Sequence, residues 1–144
     1  LWRLFSGHFI HTSWWHMILS AVGLLICLSL YRDLENPALL PVLSLILAFL
    51  ISAGLYYFYP YITWYLGFSG VLHGLFVIGA LLELGLLGWA VLLTITVKVG
   101  WEITVGPIPG TVSIIGTPSI AEANLLGAVS GLAVGWIIRA IKRI

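Results

Sequence analysis

The chain has 144 residues, 61% hydrophobic and 8% charged, with a formal net charge of +1. Soluble domains carry about 25% charged residues, and a soluble fold of this size has too much surface to hide so much apolar side chain. The solvent is therefore lipid, and the expected fold class is all-α, a polytopic bundle of transmembrane helices.

The near-neutral charge leaves no basic patch for nucleic acid. The single cysteine, Cys27, lies in an apolar run, where it reads as a small buried hydrophobe and can form no internal disulfide. Leu1 is not an initiator methionine and no cleavable signal peptide is visible, so the natural start is expected upstream.

From the N-terminus, residues 1–15 read as an interfacial loop or short helices, because Arg3, His8, His11, Thr12 and Ser13 are mixed with Trp14 and Trp15 and tryptophan concentrates at headgroup level. A short span is expected over 16–31, then a polar turn at Arg32–Pro37 and a second span over 39–58. An aromatic belt follows around Pro60, with Tyr56, Tyr57, Phe58, Tyr59, Tyr61, Trp64 and Tyr65. The third span, 69–82, is shorter than the roughly 20 residues that cross the hydrocarbon. Its Ser69 end should thus start below the surface, reached by a dipping loop, and such backbone is tolerated only in protein or beside a wet cavity. A turn at Glu83–Gly88 leads to a fourth span, 89–105, which contains Lys98 and Glu102. Gly106-Pro107-Ile108-Pro109-Gly110 breaks that helix, a loop runs to Pro118, and a fifth span covers 119–138 before the basic tail of Arg139, Lys142 and Arg143. The whole of 1–144 reads as one membrane domain without internal repeats. Alternation of sides puts Arg32 and the tail together, and the positive-inside rule makes that side cytoplasmic. Ser69, the belt and the first loop then face outward.

Chemistry concentrates in Gly67-Phe68-Ser69-Gly70-Val71-Leu72-His73-Gly74. Glycines beside Ser69 let backbone come close, and a helix N-terminus offers free N–H groups and a positive dipole end to a developing oxyanion. From these residues alone, an N-cap serine in a glycine-lined helix contact is the stronger reading. His73 lies one turn after Ser69 on the same face; it reads either as an interior functional histidine or as a packing residue bonded to a neighbouring helix. Asn124 precedes Gly127, Gly131 and Gly135, a face that lets another helix approach and would set Asn124 beside Ser69. An ordinary interhelical asparagine fits the same pattern. Lys98 and Glu102, at i and i+4, read better as a mutually neutralising pair than as catalysts. His8, His11 and His16 cluster, but a closed metal site needs three or four ligands and the acidic residues lie elsewhere, so no metal is expected.

Together these patches resemble the rhomboid family of intramembrane serine proteases. Gly67-Phe68-Ser69-Gly70 matches its Gly-x-Ser-Gly motif; Trp2-Arg3 with Gly7-His8-Phe9, His11 and His16 resembles its first-loop motif; Ala123-Asn124-Leu125-Leu126-Gly127 with Gly131 resembles its last-helix Ala-His-x-x-Gly-x-x-x-Gly motif. Ser69 to Gly74, and Lys98, Glu102 and Gly106-Pro107, are most similar to the bacterial rhombosortases. The resemblance covers essentially the whole chain and implies a family first helix upstream of Leu1. It also implies a Ser–His dyad without a cofactor: Ser69 as nucleophile, position 124 as its histidine, and an oxyanion site around His16, Ser20 and Gly67. His11, His73, Lys98 and Glu102 would support them. The implied substrate is a secreted protein with a C-terminal tail of Gly-Gly, an apolar helix and basic residues. Cleavage would occur toward the periplasm, in a bacterial inner membrane.

Two positions depart from the family pattern. Ser20 stands where the family has asparagine near the oxyanion, and Asn124 stands at the dyad histidine. An amide cannot take the serine proton at neutral pH. The sequence therefore reads as an inactive or impaired endopeptidase, with His73 as the only nearby substitute base. The rival readings are a non-catalytic pseudoprotease that binds transmembrane tails, favoured by Asn124, and a small transporter or channel subunit. The latter would suit the Lys98–Glu102 pair, but the paired broken helices of transporters are missing from the pattern.

Overall fold

The computed structural model describes residues 2–116 and 119–142. Leu1, Pro118 at the expected loop end, and Arg143 of the basic tail lie outside the described residues. Helix α1 (Arg3–Ser6) and a 3-10 turn (Gly7–Phe9) precede α2 (Trp14–Leu30). A second 3-10 turn (Arg32–Glu35) leads to α3 (Leu39–Phe58), and α4 (Ser69–Leu82), α5 (Leu86–Thr104), α6 (Thr111–Ile115) and α7 (Ala121–Lys142) follow. The described residues form an all-helical membrane bundle. Helices α3, α5 and α7 are each long and apolar enough to cross a bilayer, whereas α2 and α4 are shorter.

Several boundaries differ from the pattern read in the sequence. Helix α2 starts at Trp14 rather than His16, because Ser13 is an extended N-cap whose side chain accepts from the His16 N–H. Helix α5 starts at Leu86, after an extended Gly85. The stretch expected as plain loop after Gly110 contains α6, which packs on α2. Ser119 lies outside α7, which instead continues to Lys142.

Helix α4 is the centre of the bundle. It is packed by α2, α3, α5 and α7, and Gly70 to Leu75 and Val77 to Leu81 are all buried. A helix hydrophobic and buried all round is an interior helix. Its 14 residues rise only about 21 Å, so it cannot span the roughly 30 Å hydrocarbon alone.

The closest approach in the bundle is α4 against α7. A Cβ on Gly127 would overlap the Gly70 carbonyl, one on Gly131 would stand 2.5 Å from the Gly74 carbonyl oxygen, and one on Gly70 would stand 2.8 Å from that of Ala123. Lipid tails are as apolar as leucine, so helices in membranes associate through close van der Waals packing, and small residues permit it. On α2, a stripe of His16, Ser20 and Cys27 is buried, and a Cβ on Gly23 would meet Leu72 of α4.

The bundle's two ends differ in chemistry. At one end Tyr56, Tyr57, Phe58, Tyr61 and Trp64 are exposed, with Trp14 and Trp15 across from them, as an interfacial belt requires. At the other, Lys142 pairs with Asp33, and Arg139 donates to the Leu81 carbonyl near the C-terminus of α4. A cation there satisfies an orphan carbonyl and complements the helix dipole.

Candidate active site

Two loops build the floor of the site. The Gly67 N–H donates to the Gly7 carbonyl at 3.0 Å, and the His8 and Tyr65 rings lie 4.9 Å apart. The first loop thus clamps the segment that leads into Ser69. His8 is fully buried; its Nε2 lies 3.0 Å from Ser52 Oγ, and that hydroxyl donates to the Leu4 carbonyl. With the hydroxyl hydrogen so engaged, Ser52 can only accept from His8, which fixes the neutral ring with its proton on Nε2.

Burial pushes the His8 pKa down to about 4. A histidine neutral when folded and free to protonate when unfolded gives stability that is full above about 6.5 and is lost as pH falls toward 4. The cost on going from pH 7 to pH 4 is expected to reach about 3 kcal/mol. Thermal unfolding in detergent at the two pH values measures it, and His8→Gln should flatten the dependence.

Gly67 has φ +120°, in the left-handed region that favours glycine, and a Cβ there would stand 2.7 Å from His16 Nε2. The His16 ring therefore lies directly on the backbone just ahead of Ser69. Its Nδ1 shares a hydrogen bond with Thr12 Oγ1 at 3.1 Å, and the His11 ring meets it edge-on at 5.0 Å. Burial pushes the His11 pKa below its usual value. Ser20 is buried one turn along the same face of α2.

Ser69 is the first residue of α4. Phe68 holds the cap position, and no side chain caps the helix, so Ser69 is not the capping serine that its sequence context suggests. The next residue, Gly70, donates its N–H to the Tyr65 phenol oxygen at 3.2 Å. Tyr65, grouped with the aromatic belt by composition, thus lies against the first turn of α4 beside Ser69. Beside it, a cavity of about 380 Å³ opens between the first loop and residues 62–66, lined in part by Gly7, Ile10, Leu55, Thr63 and Leu66.

On the other flank lies a buried polar cluster. His73 Nδ1 sits 2.7 Å from the Ser69 carbonyl oxygen. A carbonyl only accepts, so Nδ1 carries the proton and is held by the backbone rather than the hydroxyl; Nε2 is buried without a partner among the described residues. Glu102 takes three donors: Lys98 Nζ at 2.8 Å and Asn124 Nδ2 at 2.9 Å on Oε2, and Ser119 Oγ at 3.2 Å on Oε1. The sequence disclosed the Lys98–Glu102 pair but not that it reaches α7. Asn124 itself is 1% exposed, and its Oδ1 has no partner among the described residues.

The Glu102 side chain is 3% exposed and that of Lys98 31%. Lys98→Met leaves a carboxylate at depth with only neutral donors, and the expected loss is roughly 2.5–3.5 kcal/mol by membrane insertion scales. Adding Glu102→Met should restore only part of it, because Asn124 and Ser119 then lose their acceptor. Chemical unfolding in mixed micelles compares the two variants; a double variant no more stable than Lys98→Met would count against the pairing.

The family model described as the Rhomboid domain matches residues 1–141. No match is found among the curated proteins or among the solved structures.

Proposed function

Because the chain belongs to the rhomboid family of intramembrane proteases, we propose that it is a serine endopeptidase of the rhombosortase type whose activity is impaired by Asn124. In this reading Ser69 Oγ attacks a peptide carbonyl, and its proton passes to the base position at 124. His16 and the backbone from Gly67 to Ser69 receive the oxyanion. The C–N bond breaks as that proton moves to the leaving amine, and water repeats the sequence to free Ser69. Asn124 can orient a hydroxyl but cannot hold the proton, so the step stalls in the chain as it stands.

The observation that carries this reading is the glycine contact of α4 with α7. Gly70 against Ala123 and Gly127 against Gly70 bring the turn that holds Asn124 to the turn that holds Ser69. His16 on Gly67 supports the oxyanion role. The substrate is a secreted protein with a Gly-Gly, apolar-helix and basic C-terminal tail. The serine faces the periplasm of a bacterial inner membrane, and the helix ends bearing Arg32 and Arg139 face the cytoplasm. The single domain spans 1–144, with α2, α3, α4, α5 and α7 as its membrane helices.

The experiment is co-reconstitution of the Asn124→His variant in liposomes with a tailed fusion and a tail-less control. Cleavage confined to the tailed fusion is expected; equal cleavage of both would remove the Gly-Gly specificity. A second reading, a tail-binding pseudoprotease, is favoured by Asn124 itself. It predicts tail capture by the chain as it stands and no cleavage by Asn124→His.

A further inference from the structure

We infer that Glu102 is a positioning residue for the side chain at 124, so that the site is a relay of three members, Ser69, position 124 and Glu102, rather than a dyad. The inference rests on the protease reading for its catalytic meaning, but its geometry is independent of it. Three observations converge. The first is the direct bond: Asn124 Nδ2 donates to Glu102 Oε2 at 2.9 Å, and an ionised carboxylate only accepts, so the amide cannot be flipped.

The second is that the carboxylate is itself fixed. Lys98 on the same helix and Ser119 ahead of α7 each take one lone pair, on Oε2 and Oε1, which holds the carboxylate in place while Asn124 takes the second lone pair of Oε2. The third is the orphan: with Nδ2 drawn to Glu102, Oδ1 is the branch turned away from it, buried and without a partner among the described residues. The acceptor that position 124 would present to a serine proton is thus left open, while its donor is engaged behind. That is the arrangement a histidine needs there. A ring N–H donating to a buried carboxylate fixes the tautomer, aims the other nitrogen's lone pair outward, and stabilises the imidazolium when the proton arrives.

The charged and titratable groups around position 124 are Lys98 and Glu102 on α5 and His73 on α4. Their influence can be separated by titration. The test uses the full chain in detergent with Asn124→His, ¹⁵N-labelled at histidine, and follows the new imidazole by NMR. His73→Gln and His16→Gln spectra assign the signals. Adding Glu102→Gln, which keeps the shape and removes the charge, should lower the new imidazole's pKa by at least about one unit. Adding Lys98→Met, which removes the opposing cation, should raise it. In the tail-cleavage assay, Glu102→Gln should reduce the rate at pH 7 on the order of 10⁴-fold, as neutralising the orienting carboxylate does in a soluble serine protease. Glu102→Asp should recover part of that loss.

An imidazole that titrates alike with Glu102 and Glu102→Gln would overturn the inference, whatever the proteolysis. If Glu102→Gln fails to fold, the Lys98→Met titration decides: no rise would overturn it. A clear titration shift with no cleavage by Asn124→His would sink the protease reading and leave the positioning role standing.

Discussion

Changing Asn124 to histidine is expected to turn on proteolysis of a Gly-Gly-tailed membrane substrate. In a soluble serine protease, loss of the catalytic histidine costs on the order of 10⁶-fold in rate, because nucleophile activation and leaving-group protonation vanish together. Even a small fraction of that factor would lift cleavage from background to an easily measured rate. The scaffold for it is present: the position is buried, its donor side meets Glu102, and α7 is held against α4 by glycine. The gain must depend on Ser69, so Asn124→His with Ser69→Ala should be silent. His73→Ala in the chain as it stands tests the competing base. Cleavage by the unaltered chain, abolished by His73→Ala, would favour His73. In the structure the His73 nitrogen free to accept a proton is Nε2, because Nδ1 donates to the Ser69 carbonyl, and Nε2 makes no hydrogen bond to the Ser69 hydroxyl or to any other described residue.

The second large effect is expected at Gly127. Its missing side chain is what allows α7 to lie on the Gly70 carbonyl, and a Cβ there would overlap that backbone oxygen. Backbone cannot move aside as a flexible side chain can, so Gly127→Ala should force the two helices apart. Overpacking typically costs about 1–3 kcal/mol, and this case should lie at or above the upper end. Gly131→Ala should be similar in kind, at 2.5 Å from the Gly74 carbonyl oxygen. By contrast Gly100, where a Cβ meets nothing within 4 Å, should tolerate alanine. Thermal unfolding of the three variants in one detergent gives the ranking, and equal stability for Gly127→Ala and Gly100→Ala would contradict the packing account.

Much of this was legible in the sequence because lipid imposes strong constraints. Apolar runs must become helices, and the short run after Ser69 had to begin below the membrane surface. The glycines at 127, 131 and 135 announced a close helix contact, and the glycine-bearing α4 was the nearest partner. What stayed hidden were relations between distant segments. Lys98 and Glu102 read as a self-contained pair because i and i+4 spacing explains them completely. Nothing local says that Glu102 has a free direction and that Asn124, 22 positions on, takes it. Tyr65 read as belt because tyrosine is common there; only the clamp of the first loop on Tyr65–Gly67 draws its phenol to the Gly70 N–H. The helix α6 escaped because five residues carry too little periodicity to register.

In the protease reading Ser69 is a nucleophile whose activation depends on the group at 124. Fluorophosphonate labelling, followed by mass spectrometry of the peptide that contains Ser69, reads this without any substrate. The expected result is a phosphonyl adduct on Ser69 in Asn124→His, far slower labelling in the chain as it stands, and none once Ser69→Ala is added. A folded Asn124→His protein that leaves Ser69 unlabelled, or labels equally with and without Ser69, would contradict it.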